Sequence, residues 1–400
     1  MTRAKKWLAA PLVGALVLAA CGGSDDDAAD TTEAPAEAEA EAEPEAEAEA
    51  EPEAEAEEEA SAGGDGLAAA QAVVDANLVI PSDIGPTIAL DSIPEEKTVA
   101  WLECSLPSCI AIGIGFADAA EALGWNLEVI SFATDAAPAF QQAIDQGVDY
   151  VAITGTAPAL IQDQLDQATA AGIVTMSCFD ATEPAEGGFA MQCGDATSVE
   201  VAGELISNAI IADSGGTANV MMVNIPDFTV LKVEADASRA TYEANCPDCT
   251  FTELALTLDQ LLAGEVAGAI LSAVQADPEI EYVHFAFDGL AGGVSSTLAD
   301  AELLDGLKLV GVDYNGAILQ EIVDGTMQFW TTNPKEYSAW LMMDAMARHS
   351  VGMENTEERA NAILPTFIAN SPEVAEPLIA TDGWPGPDGM AEQFAALWGV

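Results

Sequence analysis

Phe140-Gln-Gln-Ala-Ile-Asp-Gln-Gly147 runs straight into Val148-Asp-Tyr-Val-Ala-Ile153. Thr154-Gly-Thr-Ala-Pro158 then leads, through 159–172, to Ile173-Val-Thr-Met-Ser-Cys-Phe179. Phe140 and Ile144 stand four apart on one helical face, and Gly147 is free to take the left-handed turn that ends a helix. Val148, Tyr150, Val151 and Ile153 make a short apolar run of the kind buried on both faces of a sheet. Pro158 suits the first turn of a second helix, whose Ile161, Leu165 and Ala168 share a stripe until Gly172 closes it. A second apolar run, 173–176, follows. Helix–strand–helix–strand at this spacing predicts two parallel strands joined by a right-handed crossover.

The rhythm extends in both directions. Upstream, a strand over 98–102, a helix over 109–123 stopped by Gly124, and a strand over 127–132 are expected; downstream, 189–193 supplies a fifth strand. The pattern then restarts, with helices over 199–211, 233–245, 261–274 and 291–299. Strands over 219–223, 251–256, 282–287 and 307–312 alternate with them. Segments 325–332 and 365–369 read as further strands around a helix over 334–349. The fold class is therefore α/β: two doubly wound parallel-sheet lobes with a ligand cleft between them. The expected N-terminal lobe is 97–194 plus about 333–352, and the C-terminal lobe 195–332 plus about 370–400.

The first 96 residues differ in kind. Arg3, Lys5 and Lys6 precede an apolar stretch, 7–18, too short to span a bilayer, so 1–20 reads as a signal peptide. Leu18-Ala19-Ala20-Cys21-Gly22-Gly23 resembles a bacterial lipobox, in which the chain is cut on the N-terminal side of the cysteine and the cysteine thiol is lipidated. From Cys21 to Gly66 a tether is expected, because Ala–Glu alternation broken by Pro44 and Pro52 offers nothing to pack. Residues 67–96 are a lead-in, with one short helix over 67–77 and a proline-punctuated approach to the body. The reading implies a chain exported and held at the outer face of a membrane.

Formal net charge is −58 over 400 residues. Asp25 to Glu59 holds 18 acidic residues; without them and the three basic residues of the leader, 50 acidic side chains still face seven basic ones. A surface so acidic excludes nucleic acid, whose phosphates need clustered Lys and Arg. It reads as a solvated, salt-tolerant surface that resists aggregation.

The body resembles the type I periplasmic-binding-protein family, in its branch of ribose- and galactose-type solute-binding proteins of ABC importers. The resemblance rests on Ala122-Leu-Gly-Trp-Asn126, Gln146-Gly-Val-Asp-Tyr150 and Ala170-Ala-Gly-Ile-Val174. It continues in Phe287-Asp288, Val310-Gly-Val-Asp-Tyr314 and Ile322-Val-Asp-Gly325, in the family's order over about 97–350. It implies two lobes joined by three crossovers, a small-molecule ligand in the cleft, no cofactor, and a monomer that delivers its cargo to an ABC permease.

Ligands of open parallel sheets bind beyond the carboxyl ends of the strands. From the first lobe the candidates are Ser105, Leu106, Asp135, Thr156, Phe179 and Asp180, beside Thr134 and Gly155, with Asp195 at the first crossover. The second lobe offers Phe228, Lys232, Arg239, Asp288, Asp313, Tyr314 and Asn333. Carboxylates and amides bond paired hydroxyls, and aromatic faces cover a sugar's apolar side. The resemblance gives Asp288, Asp313 and Asn333 polar ligand contacts and matches Arg239 to a family arginine. Ser177-Cys178-Phe179-Asp180 lacks the arginine that ribose-type members carry there, which argues against simple pentose binding.

Lipidation of Cys21 leaves six cysteines, which outside the cytosol argue for disulfides. The expected pairs are local: Cys104 with Cys109, Cys178 with Cys193, and Cys246 with Cys249. Only His284 and His349 exist, neither at ligand spacing from a cysteine pair, so no metal site is expected. Gly113-Ile-Gly115 has Asp118 where a dinucleotide fingerprint needs glycine. No nucleophile–base arrangement stands out, and His284, inside a strand, reads as a packed residue. The reading is a binding protein of an importer. A sensory receptor of the same fold, presenting ligand to a chemoreceptor or histidine kinase, is the alternative. A lac-repressor-type regulator lacks its DNA-binding helices, since the leader and tether occupy their place.

Overall fold

The computed structural model describes residues 53–181, 188–194, 196–353 and 364–400, with side chains from 64 onward. The leader, Cys21, the tether as far as residue 52, and Asp195 lie outside the described residues.

The stretch that opens the analysis folds as its punctuation requires. Helix α3 (Ala137–Gln146) ends on Gly147 at φ 70°, and α4 (Gln162–Ala171) ends on Gly172 at φ 75°. Both glycines sit in the left-handed region that other residues rarely enter. Between and after these helices lie β3 (Tyr150–Thr154) and β4 (Val174–Cys178), paired in parallel with Tyr150 beside Val174. With β1 (Thr98–Glu103), β2 (Asn126–Ser131) and β5 (Met191–Cys193) they form a five-stranded parallel sheet in the order β2-β1-β3-β4-β5. Helix α2 (Pro107–Leu123) covers one face with Phe116 stacked on Trp101, while α3 and α4 enclose Phe140 and Leu165 on the other.

The second sheet has the order β11-β10-β9-β8-β6-β7. Its parallel strands are β6 (Asn219–Asn224), β7 (Thr250–Ala255), β8 (Tyr282–Phe285), β9 (Lys308–Val312) and β10 (Trp330–Thr331), and β11 (Ile368–Ala369) joins antiparallel. Helices α5 (Ala196–Ser214) and α6 (Thr229–Asn245) pack closely against each other. The expected helix over 261–274 is two: α7 (Leu258–Leu262), with a Thr257 capping box, and α8 (Val266–Ala276), parted at Gly264 with φ 72°. Helices α9 (Val294–Asp300) and α10 (Gly316–Val323) complete this layer. The strand expected over 325–332 shrinks to β10, because Gly325 first closes α10 and Gln328 Oε1 accepts from the Leu309 N–H (2.6 Å).

Three findings revise the expected organisation. First, the tether does not run extended to Gly66: α1 (Glu53–Ala76) is helical and packs along α5 and α6, burying Ala70. Ala and Glu are strong helix formers, and the apolar Leu67, Val73 and Val74 give the helix a surface to dock. Second, the C-terminal segment divides. Helix α12 (Pro372–Ile379) packs on α10, but α13 (Met390–Trp398) packs on α2 and on α11 (Lys335–Ser350), with Trp398 stacked on Trp340 at 5.4 Å. Buried Asp344 accepts from Trp398 Nε1 (2.9 Å) and pairs with Arg348 (2.8 Å), whose other nitrogen donates to the Ile88 carbonyl. Third, the described elements pass between the two layers five times rather than three. The added passages are the lead-in, from Asn77 beside Ile368 to Ile84 beneath Tyr337, and the link from α12 to α13.

The six cysteines sit in the three local pairs, with Cα separations of 5.5, 4.6 and 5.3 Å. Among the described residues no helix is long and apolar enough to cross a membrane.

Candidate functional site

Parallel strands all end at the same edge of their sheet, and here the carboxyl edges of both sheets open onto one cavity of about 560 Å³. Ser105 and Leu106 reach it after β1, Thr134 and Asp135 after β2, Gly155 and Thr156 after β3, and Phe179 after β4. From the second sheet come Phe228 after β6, Asp313 after β9 and Asn333 after β10. Phe179 packs against the cores of both layers. Phe179 and Asp313 hold φ values of 56° and 64°, a conformation costly for residues with a Cβ and most often tolerated where a site needs a side chain aimed in one direction.

Five candidates stand elsewhere, and a sixth is not described. Asp180 is buried off the cavity and accepts from Gln192 Nε2 (3.2 Å). Lys232 pairs with Asp236 one helical turn away, in solvent. Arg239 pairs with Glu253 and lies 4.9 Å over the Phe251 ring, because the neighbouring β7 offers both an anion and an aromatic face. Tyr314 turns into the second core beside Phe367. Asp288 sits behind the wall, and Asp195 lies outside the described residues.

Among the wall residues that were not candidates, two are largely buried ionisable groups. Lys335, at the start of α11, places Nζ 2.9 Å from Asp288 Oδ2, 2.9 Å from Asp313 Oδ1 and 3.3 Å from the Tyr314 carbonyl. The contacts to Asp288 and Tyr314 are hydrogen bonds, and that to Asp313 is an ion-pair approach. Burial alone would lower its pKa, but Asp313 and Asp288 outweigh burial and hold it above the usual lysine range. Burial and the neighbouring Asp288 push the Asp313 carboxyl up, to about 8, against the pull of Lys335. Asn315 ties the cluster to α10: its Nδ2 donates to Asp288, and its Oδ1 caps the helix at Ala317 and Ile318.

The second is Glu234, on the buried stripe of α6 with Val230, Leu231 and Ser238. Burial, then the Asp313 charge, raises its pKa well above the usual carboxylate range. His284, in β8 between Met222 and Val310, lies beneath it with Nε2 3.5 Å from Glu234 Oε1. Burial lowers its pKa to about 3, so the ring is neutral. A glutamate on an otherwise apolar helical stripe, and a lysine in a chain so poor in lysine, were the available signals.

The remaining wall is largely apolar, with Phe132, Leu160, Phe287 and Leu364 among its larger side chains. Such a cavity holds a small molecule through a few directed polar groups and broad apolar contact. No cluster among the described residues could hold a metal ion.

Residues 109–354 match the family model described as a periplasmic binding protein domain. No curated protein matches the chain. Solved structures do. A carbohydrate transporter from Acidothermus cellulolyticus, in complex with myo-inositol, is 21% identical with a TM-score of 0.61, covering 72% of this chain and 98% of that one. A solute-binding protein of an ABC transporter from Mycobacterium smegmatis, with bound glycerol, is 20% identical with a TM-score of 0.62, covering 72% and 99%. A 5-methylthioribose transporter solute-binding protein from Thermotoga lettingae is 18% identical with a TM-score of 0.61, covering 78% and 100%. At these identities the likeness is one of fold.

Proposed function

The chain belongs to the periplasmic binding protein domain family, and on that premise we propose that it captures a sugar or polyol between its two lobes and delivers it to the permease of an ABC importer. The observation that carries this reading is the convergence of both sheets' carboxyl edges on one cavity, where hydroxyl, amide and carboxyl groups alternate with phenylalanine faces. Relatives of the same fold hold myo-inositol, glycerol and 5-methylthioribose. In this reading Ser105, Asp135, Thr156, Asp313 and Asn333 bond ligand hydroxyls, and Phe179 and Phe228 cover its apolar side. Closing of the lobes on the ligand makes the shape the permease recognises. The protein is a binding protein, not an enzyme. In this reading the signal peptide is removed at export, and the lipidated Cys21 and acidic tether hold a monomer at the outer face of a membrane, where the three cysteine pairs persist as disulfides.

The test is a thermal-shift panel on the purified chain. It includes myo-inositol, D-allose, allitol, D-ribose and 5-methylthioribose, with choline, putrescine and amino acids as the contrasting set. A ligand at a hundredfold excess over its Kd stabilises the folded state by about 2.7 kcal/mol. Stabilisation by members of the sugar set alone is expected; response only to amines or amino acids refutes the reading.

A further inference from the structure

Glu234 presents a question the proposed function leaves open. It is buried and it lines the cavity, yet its Oε1 has no hydrogen-bond partner. Neither ring nitrogen of His284 beneath it has one either, and the only approach between the two side chains is the 3.5 Å from Nε2 to Oε1. No cation answers the carboxyl. Lys335 is the only basic side chain among the described residues of the wall; it donates to Asp288 and to the Tyr314 carbonyl and stands 2.9 Å from Asp313 Oδ1. The backbone close to Glu234 belongs to Gly203 of α5, where even a methyl group would meet the Glu234 carbonyl at 2.6 Å, so the helix cannot roll to carry the side chain out to water. An unpaired carboxylate so placed is far costlier than the neutral acid.

We propose that Glu234 is a specificity-determining residue of the cavity: a neutral carboxylic acid that donates its O–H to an oxygen of an uncharged ligand. This deepens the sugar reading and rests on it. With the proton of His284 on Nε2, the ring donates towards Glu234 Oε1, which leaves Oε2 to carry the acid proton and the cavity as the place for its acceptor. His284 is then a positioning residue, which sets which oxygen holds the proton. The charged groups facing Glu234 are Asp313 at the end of β9 and, beyond it, Lys335 from α11 with its partner Asp288; α5 contributes no buried charge there. Around Glu234 the cavity thereby presents a neutral donor, apart from Asp135 and Asp227 on its wall, and a neutral donor suits a hydroxyl or ether oxygen rather than an ammonium group.

Infrared difference spectroscopy of the whole protein against Glu234→Gln, combined with calorimetric titration, tests this. At pH 7 the wild type is expected to show the carbonyl band of one neutral buried acid that the variant lacks. That band is expected to shift when the tightest-binding of myo-inositol, D-allose, allitol and 5-methylthioribose is added. Glu234→Gln, which keeps a neutral donor, should hold affinity within a few-fold, and Glu234→Leu should lose about tenfold to a hundredfold. Affinity should weaken above neutral pH in the wild type and less so in Glu234→Gln. A band absent at pH 7, or one unmoved by a polyol that does bind, overturns the proposal while leaving sugar capture intact. If no polyol binds and putrescine or choline does, sugar capture fails and this inference with it. If the whole panel is silent, sugar capture fails, and the ligand contact is withdrawn even where the band is present.

Discussion

Replacing Lys335 with methionine removes the one ammonium that stands between two carboxylates. Methionine follows the aliphatic stem, so the change is electrostatic rather than steric. Asp288 and Asp313 are left with side chains 5% exposed and no countercharge. Breaking a buried pair from one side costs roughly 3–5 kcal/mol, because the remaining ion keeps its desolvation without its partner. Asp313 is largely protonated at neutral pH, so the cation there serves the one carboxylate of Asp288 at 2.9 Å, and the expected loss is about 3–5 kcal/mol. Against a typical total of about 5–15 kcal/mol, that is a large fraction of the fold's stability. The pH dependence has a definite sign. Asp313 is already raised to about 8 with Lys335 in place, and without the cation it rises further. A carboxyl with a raised folded-state pKa contributes fully below its unfolded value of roughly 3.9 and loses that stability as pH climbs through the folded value. Through this group the deficit of Lys335→Met should therefore be level below about pH 8, where Asp313 is protonated with or without the cation, and grow above it. Urea unfolding followed by tryptophan fluorescence at pH 6, 8 and 9.5 measures it. Adding Asp313→Asn should recover the part that grows at high pH, because a neutral amide needs no countercharge. A deficit below about 1 kcal/mol, or one equal at all three pH values, refutes the assignment of Lys335 as the balancing charge.

Two further outcomes are expected. Asp344→Leu should cost roughly 3–5 kcal/mol in urea unfolding, since it strands the buried Arg348 and leaves Trp398 Nε1 without its acceptor. Adding Arg348→Met should restore part of that loss, and no recovery in the double variant contradicts the account. Removing Cys178 and Cys193 together, 15 residues apart, should cost about 3 kcal/mol, and reductant should destabilise the wild type by more than the variant, which keeps the other two pairs.

The alternation of helix and strand was readable because its signals are local. Gly147 and Gly172 end helices wherever the rest of the chain goes, and an apolar run as short as 150–154 suits little else than a buried strand. The cavity was half readable for the same reason: a residue immediately after a parallel strand, such as Phe179 or Asp313, is placed by the strand itself. Glu234 and Lys335 were not readable as wall residues. Each lies on a helix, where its direction depends on how that helix rolls against the opposite layer. Arg239 matched a family position that left open a ligand contact or a nearby carboxylate; the Glu253 and Phe251 that hold it stand on β7, 14 and 12 residues away in sequence. The placement of α13 needed Trp340 and Asp344 to be known as its receptors, and a buried helix such as α11 shows no apolar stripe to advertise them.

The five passages of chain between the layers also set the order in which the molecule is completed. Trp398, two residues from the end of the sequence, is stacked into the core of the layer whose first strand begins at Thr98, while α1, at the start of the described chain, covers the other layer. Neither layer is therefore finished by a contiguous piece of polypeptide, and the decisive contacts have long sequence separations that slow folding. A ribosome that has released all but the last dozen residues has not yet supplied what the first half needs to close over Trp340. The core of that layer is thus completed only after every other described element of the fold has been made.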